Sequence, residues 1–156
     1  MYNYVPRGTI QLDIDSETQL LQLEREALEL LAPNLRVLVG RSVAPTPLLE
    51  YVRRVLHYSR CTEESFIITL CYMDRLSNMG FPITPRSVHR VFLTCVLLAI
   101  KYREETYFPT LYYSQVGGLP LAELRQMEVA VLTLLGFDCG VTPEEYLGML
   151  LQLNQW

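Results

Sequence analysis

Apolar residues recur at helical spacing along most of the chain. Leu20, Leu23, Ala27, Leu28 and Leu31 follow an i, i+3, i+4 rhythm that puts them on one side of a helix. Ser16 and Gln19 ahead of them fit a capping box, and Pro33 ends the run. The first predicted helix therefore covers about 17–32. Three later helices are expected to start with Thr followed by Pro, at Thr46-Pro47, Thr84-Pro85 and Thr142-Pro143. The Thr hydroxyl accepts from a first-turn amide, while Pro lacks an N–H that would find no helical partner there. Thr62 opens another helix, with Glu63 and Glu64 at its positive dipole end, running to about Asn78 before Gly80. A further helix starts near Leu119-Pro120 and closes at Gly136, a residue suited to a left-handed cap. The last covers about 143–154.

No stretch alternates with a period of two between turn residues, so no sheet is expected and the fold class is all-α. The helix after Pro85 is apolar on every side through VFLTCVLLAI (91–100), which requires other helices to surround it. It is the predicted central helix. Between Glu104 and Gly118 lie Tyr107, Phe108, Tyr112 and Tyr113, read as a loop plus one short helix that ends at Gly117-Gly118. These rings either cap the bundle half-buried or stand out as an anchor for a partner. Residues 1–15 mix Tyr, Pro, Gly and Asp without period and are expected to form a flexible tail, leaving one domain over 16–156.

Composition narrows the function. With 156 residues, half of them hydrophobic, the chain can build one substantial core. Its formal charge is −4 and its 13 Lys and Arg are spread along the sequence, which argues against a direct nucleic-acid partner. The apolar run 91–100 is too short to span a bilayer, and the start lacks a charged segment followed by an apolar one. A location inside the cell, cytoplasmic or nuclear, is expected. Cys61, Cys71, Cys95 and Cys139 form no CxxC pair and are read as reduced thiols, with Cys71 and Cys95 inside apolar helical patterns.

The informative positions are charges on apolar faces. Glu128 interrupts the stripe Leu121, Leu124, Val131, Leu132 and Leu135, and a carboxylate there needs a cation. Lys101, one turn beyond Leu97 and Leu98 at the end of the central helix, is the expected partner. Asp74 lies with Ile67, Leu70 and Cys71, and Arg54 or Arg53 on the preceding helix is its expected mate. Both pairs read first as fold-locking contacts; the sharper reading gives one of them a partner as well. His57 and Cys61 have the i, i+4 spacing of half a metal site but no clustered ligands, and His89 has no neighbour spaced for a catalytic dyad. The Thr-Pro pairs also match proline-directed phosphorylation sites, although capping accounts for all three. The expectation is a binding protein that is not an enzyme, without metal or cofactor.

Three segments in order, YMDRL (72–76), LLAIKYREE (97–105) and LRQMEVAVLTLLGFD (124–138), resemble the cyclin box. The opening YVRRVLHYSRCTEESFIITLCYMDRL (51–76) and the VGGL before the last box helix are similar to the P-type, phosphate-signalling class. The resemblance covers about 46–138. It implies a five-helix box, with one flanking helix at each end, that binds and activates a cyclin-dependent protein kinase and is a monomer before that encounter. It further implies that Lys101 and Glu128 form a polar pair that reaches the kinase, with Tyr102, Leu132 and Phe137 as apolar kinase contacts. Asp74 takes an internal structural role in the same matching, with Arg54 as its mate. Glu105 stands where the P-type class usually has Asp, Thr110 where Asn is common, and the first box helix has no MRAIL-like segment. A cyclin fold acting as an adaptor or transcription-associated module without a kinase is the alternative; family members that contact DNA carry basic faces.

Overall fold

The computed structural model describes residues 31–155. The expected tail over 1–15 and, but for its last two residues, the helix over 17–32 lie outside the described residues. A 3-10 helix, Pro33–Leu38, comes first. Six α-helices follow: α1 Leu48–Ser59, α2 Glu63–Asn78, α3 Val88–Arg103, α4 Thr110–Gly117, α5 Leu121–Leu134 and α6 Pro143–Asn154. The described residues contain no strand, so the fold is all-helical.

The continuous apolar run determines the architecture. Every residue of α3 from Val88 to Ile100 is buried except Arg90. Helices α1, α2 and α5 pack on it, while α4 bridges α1 and α5. The 3-10 helix lies on α5, and α6 lies on α2. Tyr72, Leu76, Leu97, Ile100, Leu124 and Met127 are among the largest side chains sealed in this core; each apolar one of this size is stabilised by about 1.5–3 kcal/mol on leaving water. Gly117 of α4 lies against Leu93 of α3. A Cβ added there would lie 2.2 Å from a Leu93 methyl, and the Gly117 carbonyl accepts from Tyr51 Oη at 3.1 Å.

The helix starts follow local chemistry, with two departures from expectation. Thr62 caps α2 by accepting from Ser65 N, and Thr142 caps α6 by accepting from Glu145 N, both at 3.1 Å. Thr46 does not cap: α1 begins after Pro47, and the Thr46 carbonyl instead meets His89 Nε2 at 2.8 Å. At Thr84-Pro85 the chain makes a turn over residues 85–87 before α3 starts at Val88. There the Thr84 carbonyl accepts from Ser87 N and Val88 N, and the Ser87 hydroxyl accepts from Thr84 N. Pro favours the second position of such a turn as readily as a helix start, so the dipeptide alone does not distinguish them.

Candidate functional site

Lys101 sits in the last turn of α3 and Glu128 in the middle of α5. The ammonium donates to Glu128 Oε2 at 3.0 Å, to Oε1 at 3.2 Å, and to Thr110 Oγ1 at 3.0 Å on the first residue of α4. One cation thus joins three helices and uses its three donors on protein acceptors. The pair is not sealed: the side chains keep 27% and 15% of their surface open to solvent. A half-covered ion pair of this kind is costly to break from one side, because the remaining charge stays partly desolvated.

The neighbouring positions on these helices and the loop after α5 carry apolar side chains. Tyr102 is 56% exposed and Phe137 70% exposed, while Leu132, one turn beyond Glu128, is half-buried. Phe137 is put there by the end of α5. Gly136, at φ 64°, lets Phe137 N donate to the Leu132 carbonyl and Gly136 N to the Thr133 carbonyl, the paired closure that stops a helix with a left-handed residue. Phe137 itself then takes φ 58°, a region that costs an L-residue about 1–2 kcal/mol. A large aromatic held in that conformation and pointed at water gains nothing for folding.

The loop after Phe137 is pinned from α2. Arg75 Nη1 donates to the Asp138 carbonyl at 3.0 Å and its Nη2 to the Gly140 carbonyl, while Tyr72 Oη donates to the Cys139 carbonyl at 2.6 Å. Arg75 also holds α6 through Glu145, with Nε to Oε2 at 2.7 Å and Nη2 to Oε1 at 2.5 Å. The bond to Glu145 raises the Arg75 pKa, so its charge is permanent. Tyr102 borders the same loop: a methyl on Gly140 would lie 3.6 Å from its hydroxyl.

The expected pair of Asp74 and Arg54 is not formed. Asp74 is only partly buried and accepts from Asn78 Nδ2 at 3.3 Å on its own helix. Arg54 lies over the Tyr51 ring, 5.0 Å from its centroid. The partly buried ion pair between α2 and α6 belongs to Arg75, one residue further on. Thr110 and Arg75 were both missed by reading charges on apolar stripes: the first is neutral, and the second lies partly exposed and ties α2 to both the loop 138–140 and the first turn of α6. Helix α4 forms as expected within the Tyr-rich segment; Tyr113 is buried, Tyr112 half-buried and Tyr107 exposed.

Cys71 and Cys95 are buried and all four thiols are free. Burial pushes Cys61 up to about 12 and Cys71 to about 11, so neither is a thiolate near neutral pH. Among the described residues no group of His, Cys, Asp and Glu is arranged to hold a metal ion, and no helix is long and apolar enough to cross a membrane.

The family model "Cyclin" matches residues 12–139. The chain is 32% identical over 143 residues to Cyclin-U3-1 of Arabidopsis thaliana, covering 90% of this chain and 65% of that protein. It is 31% identical over 109 residues to Cyclin-U4-1 of the same plant, covering 69% and 54%. Against Cyclin-P3-1 of Oryza sativa subsp. japonica it is 33% identical over 106 residues, covering 67% and 45%. The chain thus spans about half to two thirds of the length of these curated relatives. A family match over most of the chain, laid on a bundle built around one buried helix, makes the assignment: this chain belongs to the cyclin family and carries a cyclin box.

Proposed function

We propose that the chain is a regulatory subunit that binds and activates a cyclin-dependent protein kinase through the surface around Lys101, Glu128, Tyr102, Leu132 and Phe137. The observation that carries the reading is an ion pair at the junction of three helices that keeps part of its surface open to solvent, with the exposed aromatic Tyr102 next to Lys101 and the exposed Phe137 just past the end of α5. Aromatic residues supply large contact area at interfaces, and a charged pair beside them fixes register more than it adds affinity. A protein kinase transfers phosphate only when its strand Lys and helix Glu are paired. A subunit that binds the paired form better than the unpaired one shifts the kinase toward activity, and a swing from 1:99 to 99:1 needs about 5.5 kcal/mol of preference.

The test combines two kinds of variant with candidate cyclin-dependent kinases. Lys101→Ala and Glu128→Ala should weaken binding and activation, with circular dichroism reporting whether the bundle remains folded. Tyr102→Ala and Phe137→Ala remove exposed side chains and should leave folding intact while lowering affinity by about tenfold or more, as interface anchors do. Full binding and activation by all four folded variants would remove this surface from the mechanism.

A further inference from the structure

The basic residues that are dispersed along the sequence are partly gathered by the fold. A cleft of about 700 Å³ opens where the first turns of α1, α3 and α5 meet the loop 40–46. Arg41, Arg54, Arg86 and Arg90 line it together with His89 and one carboxylate, Glu123. The surplus of positive charge stands out in a chain of formal charge −4.

Two of these arginines are anchored. Arg86 Nε donates to the Gly40 carbonyl at 3.0 Å, and Arg90 Nη1 to the Val37 carbonyl at 3.0 Å, with Glu123 at 3.1 Å from the same nitrogen. Each keeps further N–H donors in hand. Arg54 is held only by its position over the Tyr51 ring, and its Nε is buried without a hydrogen-bond partner. His89 is 8% exposed, and its Nε2 is committed to the Thr46 carbonyl. A carbonyl only accepts, so Nε2 carries the hydrogen. Nδ1 is then left buried and unpartnered, able to accept from an acidic O–H or, once protonated, to donate. Buried polar atoms left single in a folded protein call for a partner; Arg54 Nε and His89 Nδ1 border this cleft, as does Glu123 Oε2, whose charge Arg90 offsets at 3.1 Å.

The chemistry that completes this set is a phosphate ester. Guanidinium groups match its oxygens in pairs. The cleft is far larger than one phosphate group, and Pro45, Pro85 and Leu119 give it apolar walls for residues on either side. The arginines converge on a concave site rather than forming the stripe that tracks a nucleic-acid backbone. We propose that the cleft docks a phosphorylated Ser or Thr side chain on a peptide segment of a partner protein. The site is separate from the proposed kinase surface. His89 and Lys101 stand twelve residues apart on α3, about 18 Å along its axis, so either assignment can fail alone.

The experiment is a nuclear magnetic resonance titration of the full isotope-labelled chain with a phosphoserine peptide of otherwise Gly and Ala sequence. Its unphosphorylated twin, inorganic phosphate and a short single-stranded DNA are the parallel probes. The expected result is saturable shifts around His89 and Gly118 with the phosphopeptide, at higher affinity than with any other probe. Arg54→Gln should weaken that binding about tenfold, whereas Arg53→Gln on the exposed neighbouring position should not change it. Arg54 Nε has no hydrogen-bond partner among the described residues, and circular dichroism of Arg54→Gln checks that the fold is kept; Arg41→Gln, on an exposed loop residue, gives an independent loss. Equal binding of the two peptides, tighter binding of DNA, free phosphate as tight as the phosphopeptide, or an Arg54→Gln chain that binds unchanged would each overturn the proposal.

Discussion

Phe137 and Gly117 illustrate opposite ways in which one residue limits this molecule. Phe137 pays backbone strain for an exposed ring, so Phe137→Gly should raise stability by about 1 kcal/mol by releasing the left-handed strain. Chemical denaturation should show that gain, while affinity for the proposed kinase partner falls. Gly117 has no room for a side chain, and Gly117→Ala should cost about 1–3 kcal/mol by driving a methyl into Leu93; the same denaturation curve measures it. The Lys101 and Glu128 contact was legible in the sequence because a carboxylate in the middle of an apolar stripe must find a cation. The same logic misplaced Asp74, which is only partly buried and accepts from Asn78 on its own helix. Burial, not stripe membership, decides whether a charge must pair.

At the scale of elements, every described α-helix was legible, because each has either apolar periodicity or a chemical start signal. Their first residues were less so. Thr-Pro at 84–85 makes a turn and Thr46 stands one residue too far out, whereas Thr142 caps as expected. Thr142→Ala should therefore destabilise α6 by about 1 kcal/mol, seen as faster amide exchange in 144–146. No residue of α6 is fully buried, and Arg75 is its main polar tether. Arg75→Ala removes one bidentate ion pair and two carbonyl contacts, so α6 and the loop 138–140 should exchange together and more quickly. Bonds of this charged type contribute about 1.5–3 kcal/mol each when not fully exposed. An α6 whose exchange is unaffected by that substitution would show that its apolar contacts alone hold it.

For the whole molecule, titration sets a boundary that no single residue does. Burial raises all four thiols, and also Tyr51, Tyr72 and Tyr113, above their ordinary values. A group that holds its proton more tightly when folded favours the fold at low pH and loses that contribution as pH rises. Stability should stay level to about pH 9, the ordinary thiol value, and fall through about 11 to 12, where Cys71 and Cys61 ionise; denaturant midpoints at pH 7, 9 and 11 check it. The basic cleft belongs to this scale too. Its arginines come from positions 41, 54, 86 and 90, and only the packing of α1 beside α3 brings them together. A linear reading sees dispersed charge and concludes that there is no positive face.

Helix α3 is wrapped along its length, so it can meet other molecules only at its two tips. Arg90 emerges at one tip beside the buried His89, Lys101 and Tyr102 at the other. A change anywhere on its flanks can alter only how firmly the bundle holds. A change at a tip can alter what the protein meets, and the two tips are free to diverge separately while the rod between them stays the same.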